Sequence, residues 1–171
     1  VSGGQGKTSN YEITDTTRDF TINKKAIDVK WGATISFIYN GSEQAPNASA
    51  SSGVSAETIK IDRTTAINAG SHTSIASISS VSGGQGNADN YALGNTTKSF
   101  TIGKKTISVK WDQTGTFTYN RSEQGPTAKV SSGVSNETVH ITSTTATNAG
   151  NYTATASITG VSGGQWNAGN Y

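Results

Sequence analysis

Apolar and polar residues alternate along most of this chain, a pattern that is typical of half-buried β-strands. No window shows the apolar period near 3.6 residues that marks a helix. Turn-forming pairs such as Asn40-Gly41 and Ser52-Gly53 separate the alternating runs. About six or seven short strands per unit, with frequent turns, predict an all-β fold of antiparallel β-sandwiches. The clearest runs are Ile27-Val29-Trp31, Ile35-Phe37-Tyr39, Ile59-Ile61 and His72-Ser74-Ala76-Ile78.

The sequence repeats with a period of 80 residues. The hexapeptide VSGGQG at residues 1–6 returns at residues 81–86, and again as VSGGQW at residues 161–166. Residues 1–80 and 81–160 align without an insertion and are identical at 46 of 80 positions, so they are copies of one unit. We therefore expect a portion of a tandem array. Such arrays span distance or multiply weak contacts, and we expect neither enzyme activity nor a cofactor.

The alternation changes phase at Lys24-Lys25. Phe20 and Ile22 lie on even positions and Ile27 on an odd one, and a single strand cannot turn both sets toward one core. The same shift recurs at Lys104-Lys105. A bulge would explain the shift, but we favour a domain junction. In this interpretation the strand that ends at Ile22 is the last of one sandwich, and the strand that starts near Ile27 is the first of the next. The predicted units are residues 1–23, a terminal strand segment of a preceding or neighbouring repeat; residues 24–103, a sandwich repeat; and residues 104–171, a second sandwich repeat that lacks its last strand.

Composition and charge exclude several classes of function. The chain is 32% hydrophobic and 14% charged with a net charge of +2, which is too small for a nucleic-acid-binding surface. It contains neither Cys nor Met, so disulfides, thiolate nucleophiles and zinc-thiolate sites are excluded. No apolar run approaches the roughly 20 residues that cross a bilayer. The absence of Cys fits an extracellular protein of the bacterial cell surface better than a small secreted animal domain.

Four strings carry a resemblance to a known family. They are TYNRSEQGPTA at residues 118–128, NAGNYTATASI at 148–158, NYALGNTTKSFTI at 90–102 and KKTISVKW at 104–111. Together they resemble the MBG-type bacterial immunoglobulin-like (Ig-like) repeat across essentially the whole chain. The resemblance implies tandem Ig-like sandwiches in an extended array, within a large bacterial surface protein. Tyr152 also resembles the tyrosine of the Ig tyrosine corner. Because His72 stands at this position in the first copy, we expect the corner to be weakened or altered there.

We expect no catalytic, cofactor-binding or metal-binding residues, and the sequence leaves any ligand-binding residues unassigned. The aspartates have no acidic counterpart 80 residues away, so the clustered carboxylates of a calcium clamp are not predicted. Two glutamate pairs do recur, Glu43 with Glu123 and Glu57 with Glu137, and we predict all four side chains to be solvated beside turns. The VSGGQG loop lacks the Lys-Ser/Thr ending of a phosphate loop and is predicted to be a flexible hairpin or interdomain loop.

A Lys-Asn isopeptide crosslink is a further candidate, with Lys30 or Lys110 bonded to Asn68 or Asn148. Such a bond requires a buried lysine, which is costly without a partner. Because alternation turns Lys30 away from the core, we favour a solvated lysine over the crosslink.

Two functions fit these observations. The first is a structural repeat of an extracellular bacterial surface fibre or stalk, in which the strand of residues 11–22 completes the second unit of a neighbouring subunit, head to tail. The second is an adhesin module that binds a glycan or host surface protein through sandwich loops, with avidity from the copies. Its candidate loops, residues 42–44 and 51–55, agree with residues 122–124 and 131–135. The expected partners are neighbouring repeats or identical subunits, without nucleic acid and without membrane insertion in this segment.

Overall fold

The computed structural model describes residues 7–112, 115–165 and 167–171, so the first VSGGQG copy and Trp166 lie outside the described residues. The chain is all-β, which confirms the predicted fold class. Helical residues in the described part are confined to three 3-10 turns, Thr8–Asn10, Ala88–Asn90 and Ala168–Asn170. The strands are β1 (Lys25–Asp28), β2 (Lys30–Trp31), β3 (Ser36–Ile38), β4 (Ala48–Ser49), β5 (Thr58–Arg63), β6 (Gly70–Ser82), β7 (Tyr91–Gly94), β8 (Thr97–Gly103), β9 (Lys110–Trp111), β10 (Ala128–Lys129), β11 (Thr138–Ser143) and β12 (Ala156–Ser162).

Residues 24–103, here named the first segment, contain a four-stranded sheet in the order β3-β8-β6-β5 and two smaller ladders, β1-β7 and β2-β4. β6 pairs antiparallel with β5 and with β8, and β2 pairs antiparallel with β4. The ladders β1-β7 and β3-β8 are parallel, so the prediction of purely antiparallel sheets is wrong at these two places. Alternation fixes the face on which a side chain lies, but it carries no information about the direction of the neighbouring strand.

Two apolar clusters form the interior of the first segment. One lies beside the β1-β7 ladder, and the other lies beneath β3 and β8. Both clusters include buried side chains from the last two strands before Lys104, β7 in the first cluster and β8 in the second. The buried members are Ile27, Ile59 and Tyr91 in the first cluster, and Tyr39, Phe100 and Ile102 in the second.

Residues 104–171, the second segment, repeat only part of this architecture. We call two residues or strands counterparts when they lie 80 residues apart. β9 pairs with β10 as its counterpart β2 pairs with β4, and β11 pairs with β12 as β5 pairs with β6. However, β12 begins at Ala156, whereas β6 begins at Gly70, the counterpart of Gly150. The missing stretch corresponds to residues 70–75 of β6, which are the residues that pair with β8. Among the described residues, no ladder includes residues 150–155.

Residues 1–23, the leading segment, are described from Lys7 onward. Every described residue of this segment is exposed, and its regular structure is limited to the turn Thr8–Asn10. Phe20 and Ile22 are 84% and 86% exposed, while their counterparts Phe100 and Ile102 are 3% and 2% exposed. The division of the chain at Lys24 and Lys104 stays a prediction. Phe20 and Ile22 do not share an interior with Ile27, which is buried.

Candidate functional site

An open groove runs along the second segment between residues 115–119 and residues 150–154. Its volume is about 540 Å³. Phe117, Tyr119 and Tyr152 line it, and all three are exposed large side chains. The groove lies at the counterpart of the space that β8 occupies between β3 and β6 of the first segment. The aromatic lining therefore faces solvent where the first segment has an interior.

β8 shows what fills this space in the first segment. Phe100 packs edge to face on Phe37, with ring centroids 5.9 Å apart, and lies 5.5 Å from the ring of His72. The counterparts of Phe37 and His72 are Phe117 and Tyr152, which line the open groove. A strand entering the groove would gain main-chain hydrogen bonds on both sides as well as these contacts.

A polar joint connects the two segments. The carboxylate of Glu137, only 9% exposed, accepts hydrogen bonds from the Tyr39 hydroxyl of the first segment and from the Tyr171 hydroxyl of the second, the latter at 2.5 Å. The backbone N–H of Gln165 donates a third bond at 3.0 Å. Tyr39 and Tyr171 pack edge to face with ring centroids 5.7 Å apart. Both carboxylate oxygens of Glu137 thus accept hydrogen bonds where the two segments meet.

Asn170 and Val134 complete the joint. Asn170 is buried, its side-chain carbonyl accepts from the Ala69 N–H at 2.8 Å, and its amide donates to the side-chain oxygen of Asn68 at 3.0 Å. Val134 packs against the cluster that contains Tyr39. We use the name joint for Tyr39, Asn68, Ala69, Val134, Glu137, Asn170 and Tyr171.

The ionisation states of the joint are set by its own hydrogen bonds. Burial raises the pKa of Glu137, but the bonds from Tyr171, Tyr39 and the Gln165 N–H outweigh it and hold the pKa below its usual value. Burial, together with the bond to Glu137, raises the pKa of Tyr171 to about 12. The same two causes raise the pKa of Tyr39. Near neutral pH the joint therefore holds one carboxylate between two neutral phenol donors.

Every residue of the joint recurs with the 80-residue period. The counterparts that lie outside the joint differ from it in burial. Tyr119 is 56% exposed although its counterpart Tyr39 is fully buried, and Asn90 is exposed although its counterpart Asn170 is buried. Glu57 is half-buried and accepts a hydrogen bond from Tyr91, as Glu137 does from Tyr171. Recurrence of Tyr, Glu and Asn in both copies was the sequence signal for this joint.

Two sequence predictions are corrected here. Glu137 is not a solvated turn carboxylate, because it is buried in the joint, and Glu57 is half-buried. The VSGGQ loop is not a free hairpin: Gly83 has φ +81° and packs so closely that a Cβ would lie 1.8 Å from the Ala56 carbonyl oxygen. Gly163 makes the same contact with Asn136. In each copy the loop packs on the glutamate, since a Cβ on Gly84 would lie 3.1 Å from Cγ of Glu57 and one on Gly164 would lie 2.4 Å from Cγ of Glu137. In the second copy the Gln165 N–H also donates to the carboxylate.

The remaining candidates lie apart from the joint. Glu43 and Glu123 are exposed, as predicted. Gln44 donates to the Ile38 carbonyl at 3.3 Å and Ser52 bonds two carbonyls of its own loop, so residues shared by the candidate adhesin loops make internal bonds. Lys30 is exposed on β2, in agreement with alternation.

The proposed tyrosine corner has the expected hydrogen bond in both copies. The Tyr152 hydroxyl donates to the Asn148 carbonyl at 3.0 Å. In the first copy His72 Nε2 lies 2.8 Å from the Asn68 carbonyl oxygen, so the histidine replaces the tyrosine in the same contact. The residue is altered as expected, but the contact is retained, so the expectation of a weakened corner is wrong.

The described residues contain no group of three or more His, Asp or Glu side chains that could hold a metal ion. Within the same residues, no helix has the length and apolar character needed to span a membrane. Comparisons with family models, with curated proteins and with solved structures found no match to this chain.

Proposed function

We propose that this chain is a structural repeat of an extracellular bacterial surface fibre or stalk. The observation that carries the proposal is the joint, because all of its residues recur at the period of the repeat. An array built from this unit can therefore form the same buried contact between each pair of neighbours. A protein that acts through one isolated site has no need for such a contact at every period.

The connection between the segments supports a mechanical role. β8 ends at Gly103, and the N–H of Lys105 already donates to the Asn170 carbonyl at 2.8 Å, so a single residue links the two structures. Short connections and buried, directional hydrogen bonds fix the orientation of neighbours more firmly than apolar contact alone. The composition supports the extracellular setting, since a chain without Cys or Met has no readily oxidised sulfur.

Immunogold electron microscopy of cells that produce the protein tests this function. Antibodies raised against the 171-residue chain should label material outside intact cells, in rows along filaments or stalks. The same antibodies, absorbed beforehand with the purified chain, provide the control. Label confined to the cytoplasm of sectioned cells would refute the proposal.

A further inference from the structure

We infer that the first segment resists tension through its two parallel ladders, β1-β7 and β3-β8, which together form a force-bearing clamp. The inference rests on the proposed function, because a stalk or fibre under tension loads each unit where the chain enters and leaves it. For the first segment these points are Lys24 and Lys104. We use the name clamp for the two ladders and the Asn95 side chain that extends the first of them.

Strand direction decides how a pulling force acts on the first ladder. The chain enters β1 at Lys25 and leaves β7 at Gly94, and the two strands run parallel. Tension therefore pulls β1 toward its amino end and β7 toward its carboxyl end, so the strands are forced to slide along each other. In this shear geometry the evenly spaced hydrogen bonds of a parallel ladder share the load and must break together. A ladder that is pulled open from one end instead loses its bonds one at a time.

The second ladder is loaded in the same way. β8 carries the tension to Gly103 and pairs parallel with β3. Two further main-chain bonds, both 2.9 Å long, strengthen this pairing. The Thr101 N–H donates to the Ile35 carbonyl, and the Tyr39 N–H donates to the Gly103 carbonyl. Once β1 slides out, the chain after it carries the load to the amino end of β3, so the second ladder resists the same force after the first.

Asn95 connects the two ladders. Only Asn95 and Thr96 separate β7 from β8, so tension passes directly from one ladder to the other. The Asn95 side-chain amide donates to the Val29 carbonyl at 2.9 Å, and its main-chain carbonyl accepts from Trp31 Nε1 at 2.8 Å. The Val29 N–H donates to the Gly94 carbonyl at 3.1 Å. These bonds extend the first ladder beyond the end of β1.

Each ladder of the clamp has one face covered by apolar side chains. Ile27 and Tyr91 of the first ladder are buried in one cluster, and Phe100 and Ile102 of the second are buried in the other. Water replaces a main-chain hydrogen bond only where it can reach the donor or the acceptor. The covered faces therefore limit the exchange of ladder bonds for bonds to water while the ladders carry load.

The carboxyl end of the clamp lies at the joint. Tyr39, whose main-chain N–H bonds Gly103, also donates through its hydroxyl to Glu137 of the second segment. Two residues after Gly103, the Lys105 N–H donates to the Asn170 carbonyl at 2.8 Å. The joint thus holds the end of the second ladder against the second segment.

The antiparallel ladders of the four-stranded sheet lie outside this path. β6 pairs with β8 on the side away from β3, and β5 pairs with β6. Neither β5 nor β6 contains a point where the chain enters or leaves the segment, so these ladders carry load only after the clamp opens. Alternation is satisfied by either strand direction, so the parallel direction of the two loaded ladders is a separate feature of the fold.

Single-molecule force spectroscopy on the full chain tests the inference, and the absence of cysteine allows the attachment points of the handles to be chosen freely. Lys24→Cys with Lys104→Cys loads the first ladder in shear. Lys24→Cys with Asp89→Cys loads the same ladder from one end, because Lys24 precedes β1 and Asp89 precedes β7. All three side chains are exposed. The measured quantity is the lifetime of the first rupture at one constant force, and each released residue adds roughly 3.3–3.6 Å of length.

Asn95→Gly is the clamp variant. Glycine accepts the φ of +52° at this position, so the substitution removes the amide bond to Val29 without backbone strain. Asn136→Gly is the matched control, because it makes the same replacement at φ +61° in the second segment, outside the clamp. It also accounts for the greater freedom of glycine in the unfolded chain.

We expect the shear geometry to give the longer lifetime in the otherwise unchanged chain. Asn95→Gly should shorten that lifetime by about two- to tenfold, the effect of one hydrogen bond on a rate, while Asn136→Gly leaves it unchanged. In the one-end geometry Asn95 lies at the end of the ladder that opens last. The same substitution should therefore change that lifetime less.

Equal lifetimes in the two geometries, or a longer lifetime in the one-end geometry, would overturn the inference. An equal loss from Asn95→Gly in both geometries would also overturn it, because that pattern indicates general destabilisation. If this variant folds poorly, the comparison of geometries in the unchanged chain still decides. The location of the protein is decided separately by the gold labelling. Label on extracellular filaments together with equal lifetimes would therefore keep the proposed function and reject the clamp.

Discussion

The Tyr39 hydroxyl donates a hydrogen bond to the carboxylate of Glu137, a residue 98 positions later in the chain and in the other segment. Tyr39 is fully buried there, while its counterpart Tyr119 is largely exposed. The same residue type thus occupies two environments, and the difference is the contact with Glu137. This contact and the loop that covers Glu137 lead to four predictions.

Replacement of Tyr39 by Phe removes one donor to a buried carboxylate and should lower the free energy of unfolding by about 1.5–3 kcal/mol, the range for hydrogen bonds to charged groups. Tyr119→Phe is the matched control and should change it by less than about 0.5 kcal/mol. Both are measured by urea denaturation of the full chain. Equal effects at the two positions would contradict the joint.

Stability should depend on pH at both extremes. The pKa of Glu137 is lowered by folding, so its contribution is complete above about pH 4.5 and is lost as the pH falls below that value toward the folded pKa. The pKa of Tyr171 is raised to about 12, so its contribution is complete below pH 10 and is lost as the pH rises from 10 to about 12. Urea midpoints across pH measure both, and Glu137→Gln should flatten the acid limb. An unchanged acid limb in that variant would argue against the assignment.

Gly83→Ala should destabilise the first segment, because alanine at φ +81° costs about 1–3 kcal/mol from backbone strain alone and its Cβ meets the Ala56 carbonyl. Gly160→Ala is the control, since a Cβ there meets nothing within 4 Å. Thermal unfolding compares the two. If the loop were a free hairpin, both substitutions would be tolerated equally.

The sequence predicted much of the fold for a simple reason. The alternation of apolar and polar residues reflects which side chains are buried. The 80-residue period is found by comparing residue types along the sequence. Both can therefore be recognised without coordinates. The runs around Ile59 and His72 are strands β5 and β6. The run containing Phe117 and Tyr119 is not a strand, because a strand needs a ladder partner and none pairs with this run among the described residues.

The joint was harder to predict. Glu137 has an ordinary turn sequence around it, and its burial depends on Tyr39 and Tyr171, which lie far away in the sequence. Such long-range contacts leave no local periodicity. The recurrence of the glutamate and the tyrosines was visible in the sequence. However, residues also recur between copies because they pack in the core or form turns. Recurrence alone therefore did not distinguish a buried carboxylate from a solvated one.

A double-mutant cycle at Tyr39 and Glu137 tests the joint between the two segments most directly. Tyr39→Phe and Glu137→Gln are made singly and together in the full chain, and urea denaturation gives the free energy of unfolding of each variant. If the Tyr39 hydroxyl donates to the Glu137 carboxylate, the two losses should depart from additivity by about 0.5–3 kcal/mol, the range for residues in contact. Strictly additive losses would contradict the contact.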